Sequence, residues 1–274
     1  MSRSESGSGR RRGVAFLVAA ASVLPAPAVA ETLYALELNG GDFRVVDRAT
    51  GADVETISTT VFGSWRGIAM SPVSGILYAT DVGSLFTLDT TSGETVEIGP
   101  FGGALVRDLT FDGAGQLYGV TGAQGSAANS LHAIDTATGA VTFLVALNGN
   151  AGHCIAYDPE EPGTVYHLAA GLAQQIFERV DLGSGAITPI GLAGDPILSP
   201  SLGLVYDPLA GLFRFFDAQG RYYALARDGT VTAAGTQNPT VYFGLAFDQP
   251  TTQFVIFEDG FESGDTSAWS ATVP

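Results

Sequence analysis

The sequence predicts an all-β fold assembled from repeated four-stranded units, and three observations predict it. Its 36 Gly and 13 Pro among 274 residues are too many for packed helices, since each Gly inside a helix costs about 1 kcal/mol against Ala and each Pro about 3. Its 46% hydrophobic and 15% charged residues supply a large core and exclude a disordered chain. The chain also repeats itself with a period of about 45 residues, which is the spacing of sheet repeats arranged in a ring.

Residues 1–30 stand apart from the repeat. A basic stretch with Arg3, Arg10, Arg11 and Arg12 precedes an apolar run from Val14 to Leu24, which ends at Ala28, Val29 and Ala30. This is the layout of a secretory signal with a small-x-small cleavage site. The run is too short for the roughly 20 residues of a membrane span. The expectation is an exported, periplasmic or cell-surface protein beginning at Glu31, by general secretion or, through Arg11 and Arg12, by twin-arginine export.

From Glu31 onward three markers recur. An apolar-aromatic pair falls at Leu33-Tyr34, Leu77-Tyr78, Leu117-Tyr118, Val165-Tyr166 and Leu212-Phe213. Behind it comes Asp-x-x-Thr/Ser-Gly, at Asp47 to Gly51, Asp89 to Gly93, Asp135 to Gly139 and Asp181 to Gly185, shortened at Asp228-Gly229. Asp caps such a hairpin turn through its carboxylate, and Gly takes the positive φ at its end. Ahead of the pair stand RGIAMSPVSG, RDLTFDGAG, HCIAYDPEEPG and LGLVYDPLAG, each a strand running into a turn. Each unit therefore reads as one four-stranded propeller blade.

The ends of the repeat complement each other. The chain enters at a second strand, TLYALEL, and supplies an orphan first strand, VYFGLAFD, at residues 241–248. Pairing the two completes a fifth blade and leaves no open ring edge. The prediction is a single β-propeller domain over residues 31–255 with five four-stranded blades, too little chain remaining at Gln253 to Phe261 for a sixth. An acidic tail follows over 256–274, and a monomer is expected.

The pattern G-[IL]-A-[FY]-D-P-x-x-G-x-L-Y followed by L-x-x-[IL]-D-x-x-[TS]-G resembles secreted bacterial β-propellers of the broad WD40-like and YVTN-like kind, over about residues 31–250. The Trp-Asp and Gly-His pairs of true WD40 repeats are missing, and so is the tryptophan-rich repeat of quinone-dependent dehydrogenases. The stretch DGFESGDTSAWS is similar to short tails that close many unrelated secreted bacterial proteins, which implies a sorting or attachment signal. A plain acidic end is the alternative reading.

Charge narrows the partners. The formal net charge is −16, all twelve basic residues are Arg, and removal of residues 1–30 leaves eight Arg against 27 acids, a net of −19. Nucleic acid is excluded, because no basic stripe is available to displace counterions from phosphates. Cys154 is the only cysteine, so no internal disulfide forms. With three His and no paired ligand spacing, no metal is expected. The acidic turns each supply one carboxylate, far short of the six to eight oxygens that calcium takes. No P-loop, dinucleotide fingerprint or nucleophile elbow is present, and no cofactor is expected.

First strands line the channel of a propeller, and their ends form its mouth. Aligning them puts Arg66, Arg107, His153, Leu202 and Phe243 in one column, with Gly67, Asp108, Cys154, Gly203 and Gly244 in the next. Arg66, Arg107, Asp108 and His153 are therefore the candidate ligand residues, a pocket for a small anionic or polar ligand or for a protein partner. The competing reading is structural, with the arginines tying loops to Asp108 and to carbonyls, His153 satisfied by a neighbour, and Cys154 a small buried hydrophobe. No catalytic residue is assigned. The functional expectation is an exported, non-enzymatic binding or scaffold propeller. The alternative is a propeller enzyme of lactonase, lyase or glycosidase type, which needs two or three carboxylates converging on the channel.

Overall fold

A computed structural model describes residues 32–37, 41–59, 64–149, 153–235 and 237–248. The expected export signal at 1–30, the stretch 253–261 and the tail at 256–274 lie outside the described residues. In chain order the strands are β1–β3 (Leu33–Glu37, Asp42–Val46, Asp53–Ser58), β4–β7 (Ile68–Met70, Leu77–Thr80, Ser84–Leu88, Thr95–Pro100) and β8–β11 (Ala104–Phe111, Leu117–Gly125, Ser130–Ile134, Val141–Ala146). They continue with β12–β15 (His153–Tyr157, Thr164–Gly171, Gln174–Asp181, Ile187–Pro189), β16 (Ala193–Gly194), β17–β20 (Ser201–Asp207, Leu212–Asp217, Tyr222–Leu225, Thr230–Ala233) and β21 (Tyr242–Phe247).

These strands form five antiparallel meanders, and the protein is a five-bladed β-propeller. Blade 1 has the order β21-β1-β2-β3, blades 2 to 4 run β4 to β7, β8 to β11 and β12 to β15, and blade 5 runs β17 to β20. Blade 1 is closed as expected from the chain ends, with Leu33 opposite Phe247 and Ala35 opposite Leu245. Blade 5 gains a short fifth strand, β16, which runs parallel to β20 on its outer edge.

The repeat markers do the jobs their chemistry predicts. Asp47 Oδ1 accepts the Ala49 and Thr50 amides and the Thr50 hydroxyl, and Asp89 and Asp181 cap their turns in the same way. The closing glycines 51, 93, 139 and 185 all have φ between 69° and 77°. Each apolar-aromatic pair spans two interfaces, because neighbouring strand residues face opposite ways. Tyr34 packs with blade 2 and Leu33 with blade 5, and the pairs of blades 2 to 4 repeat this. The five buried clusters are the five interfaces between blades.

One pair is corrected by one residue. Phe213 of blade 5 faces blade 4, as Val165 faces blade 3, so the equivalent pair is Phe213-Arg214 rather than Leu212-Phe213. The turns that precede the second strands differ in length, and a one-residue slip reverses every side chain. Arg214 takes the aromatic position and lies over the Tyr222 ring at 5.8 Å while bonding Asp207.

Candidate functional site at the channel mouth

The five inner strands meet backbone to backbone. A Cβ on Gly67 would lie 2.6 Å from the Asp108 Cα, and one on Gly244 would lie 2.7 Å from the Ile68 nitrogen. Only glycine allows that approach. Asp108, in the same column, fills the axis. It is 1% exposed, its Oδ1 accepts the Leu109 amide, and its Oδ2 accepts the amides of Ile155 in blade 4 and Leu204 in blade 5. Burial pushes its carboxyl well above the ordinary value, against the pull of those three amides. Neither arginine pairs with it, so the structural tie expected through Asp108 is replaced by a tie to amides. Cys154 beside it is fully buried, and burial raises its thiol.

One residue before this column, the side chains gather at a mouth. Arg66 lies over the Phe243 ring at 4.4 Å, donates from Nη1 to the Trp65 carbonyl at 3.0 Å, and leaves Nε buried without a hydrogen-bond partner among the described residues. Burial lowers its pKa, and the charge of Arg107 lowers it further. Arg107 occupies an irregularity in the β8–β9 register, a device that re-aims a side chain, and it lies against Gly122, where a Cβ would come 2.9 Å from its Nε. Six of the eight arginines after residue 30 pair with carboxylates: Arg44, Arg48, Arg179, Arg214, Arg221 and Arg227. Arg66 and Arg107 make no ion pair with any described residue.

His153 joins them through the neighbouring blade and brings a chain the sequence reading missed. Its Nδ1 is 2.9 Å from His167 Nε2, and His167 Nδ1 is 2.9 Å from Glu178 Oε1. Glu178 also accepts from the Asn148 side chain at 2.7 Å and from its amide. All three side chains are buried, at 5%, 0% and 1% exposure. His153 is pushed down to about 4, by burial first and then by the charges of His167 and Arg107. Burial raises Glu178, but the hydrogen bonds of His167 and Asn148 outweigh it and hold the carboxyl low. The signal for this chain was the hairpin register. Ile155 opposes His167 and His167 opposes Glu178, so all three polar groups share one sheet face.

Beyond Asp108 the channel opens into a cavity of about 130 Å³ at the opposite mouth, lined by Ile68, Met70, Phe111, Tyr157, Tyr206 and Phe247 among others. Asp112, which lines it, accepts the Ala114 and Gln116 amides and the Tyr118 hydroxyl, and next to lining residues Asp207 holds Arg48 and Arg214 while Asp158 holds Arg227. Among the described residues no three His, Cys, Asp or Glu groups are arranged to hold a metal ion.

No protein-family model matches the chain, and no curated protein matches it. Solved structures do. A chain from a nidogen/laminin complex aligns at a TM-score of 0.57 with 13% identity, covering 80% of this chain and 98% of that one. Virginiamycin B lyase from Staphylococcus aureus aligns at 0.47 with 12% identity, covering 76% of this chain and 67% of the enzyme. At these identities the likeness is one of fold, and a shared fold leaves activity open.

Proposed function

We propose that this is an exported, monomeric propeller that binds a small anion at the mouth formed by Arg66, Arg107 and His153. One observation carries the reading: in a chain of net charge −16, Arg66 and Arg107 alone among the eight arginines after residue 30 have no carboxylate partner among the described residues, and the charge of Arg107 acts on Arg66. Two partly desolvated guanidinium groups repel each other when the site is empty. A carboxylate or phosphate relieves this through charge-assisted hydrogen bonds. Asp108 supports the ring under the site, and the ligand contacts fall to the other three residues.

The test is calorimetric titration of small carboxylates and phosphates into the wild-type protein and the Arg66→Ala/Arg107→Ala double variant. Each lost charged hydrogen bond is worth about 1.5–3 kcal/mol, so affinity should fall by about a hundredfold or more. Unchanged affinity in the double variant would sink the reading. A second reading, an apolar ligand in the opposite cavity, draws on that cavity's apolar lining. It requires binding that survives the double substitution and is insensitive to salt.

A further inference from the structure

We propose that Glu178, His167 and His153 form a directional hydrogen-bond chain that holds His153 Nε2 as an unprotonated acceptor beside Arg66 and Arg107, so that the site selects anions that also carry a hydroxyl group. The inference rests on the anion-binding reading and names the class of ligand more narrowly.

The direction follows from Glu178. It receives two hydrogen bonds from Asn148 and one from His167, and unlike those of the wholly buried Asp108 these bonds outweigh burial and hold the carboxyl low, so Glu178 is the ionised acceptor. His167 Nδ1 therefore carries a proton. With His167 as the neutral ring, its Nε2 accepts and the proton between the two histidines belongs to His153 Nδ1; a cationic His167 would donate from both nitrogens and move the His153 proton to Nε2, the result that overturns the inference. This leaves the lone pair of His153 on Nε2. The chain runs inward from β14 through β13 to β12, so the free nitrogen is at its axial end, within reach of the Arg107 charge.

Blade packing does not require these groups. The directly opposed residues at the same level are Ala35 and Arg44 in blade 1, Ala79 and Phe86 in blade 2, Gly119 and His132 in blade 3, and Phe215 and Tyr223 in blade 5. None of these repeats the chain. His153 is only 5% exposed, yet its Nε2 has no hydrogen-bond partner among the described residues. A buried acceptor left unpaired is costly, and such groups call for an explanation.

The chemistry of the missing partner is constrained. A lone pair repels anion oxygens, so Nε2 needs a donor from the ligand. An ammonium donor is repelled by Arg66 and Arg107, which leaves an uncharged donor, and a hydroxyl is the smallest that a carboxylate ligand carries. A hydroxy acid satisfies the whole site, its carboxylate on the guanidinium groups and its hydroxyl on His153. His167 and Glu178 are positioning residues that fix the tautomer.

The experiment compares malate with succinate, and lactate with propionate, by calorimetry at neutral pH and low salt on the full chain. One added neutral hydrogen bond predicts about tenfold tighter binding of each hydroxy acid. In His167→Leu the His153 ring is free to place its proton on Nε2, and the preference should vanish while the plain acids still bind. Long-range proton–nitrogen NMR of the wild-type histidines provides a second measurement that needs no variant, and it should find His153 protonated on Nδ1 alone. Protonation of His153 on Nε2 overturns the inference. So does equal binding of hydroxy and plain acids that is lost in the Arg66→Ala/Arg107→Ala variant, an outcome that leaves the anion reading intact. Failure of all four acids to bind overturns the anion reading itself, and this inference with it.

Discussion

The Asp108 carboxylate in blade 3 accepts the backbone amide of Leu204 in blade 5 at 3.2 Å, 96 residues along the chain. Because the same oxygen accepts the Ile155 amide of blade 4, one side chain joins three blades at the axis. Inner strands have an edge with no fifth strand to pair with, and their amides need an acceptor. Asp108 supplies it, and it also separates the arginine mouth from the apolar cavity.

Replacement of Asp108 by Ala should therefore destabilise the protein by at least about 2 kcal/mol, since each buried amide deprived of its acceptor costs about 1–3 kcal/mol. Asp108→Asn keeps an accepting oxygen and should lose less. The sign with pH is also fixed. Burial raises the folded pKa above 3.8, so the folded chain holds a proton that the unfolded chain releases, and this contribution to stability is lost as pH rises from about 4. Urea denaturation at several pH values should show Asp108→Asn gaining on the wild type as pH increases.

His153 works in the opposite direction. Its folded pKa, about 4, lies below the unfolded 6.5, so between these values the unfolded chain binds a proton that the folded chain refuses. Its contribution is fully present above 6.5 and is lost as pH falls towards 4. Glu178, His167 and Arg107 all act on this group. Removing it as His153→Phe should flatten the acid limb of the stability curve, read by thermal melts between pH 4 and 7.

The arginines should separate into two kinds. Arg214→Ala takes one partner from the fully buried Asp207 carboxylate and should cost about 1.5–3 kcal/mol, the value of a charged hydrogen bond. Arg107→Ala removes a repelling neighbour of Arg66 and should leave the melting temperature unchanged or raise it, as is common where function opposes stability. A large drop in the melting temperature of Arg107→Ala would show that the residue is structural.

Two glycines with the same φ class should respond differently to alanine. Gly185 has φ 70° and its nearest neighbour is the Val145 side chain at 3.6 Å, so Ala there should cost about 1–2 kcal/mol of left-handed strain. Gly139 has φ 77° and a Cβ would meet the Gly99 carbonyl oxygen at 2.4 Å. Gly139→Ala should cost clearly more, because backbone must move as well. Equal losses in chemical denaturation would contradict the packing of turns against neighbouring blades.

How much was legible in the sequence depended on how local the cause was. Asp89 to Gly93 and its copies are recognisable because a capping carboxylate and a positive-φ glycine act within five residues. The column of Arg66, Arg107, His153 and Phe243 could be aligned because each blade repeats the same inner strand. Phe213-Arg214 was misplaced because turn length varies between blades, and a period-two pattern cannot absorb a slip of one. The His153–His167–Glu178 chain crosses two hairpins, and only their register puts the three residues on one face.

The sequence by itself determined the blade count and the closure of the ring by pairing of TLYALEL with VYFGLAFD, since turn chemistry and alternation are written along the chain. Only the tertiary structure decided that Asp108 serves the axis while Arg66 and Arg107 make no ion pair among the described residues. That outcome turns on which carboxylate lies within hydrogen-bond reach of which donor, a distance of about 3 Å between residues from separate blades, and no pattern within one strand records it.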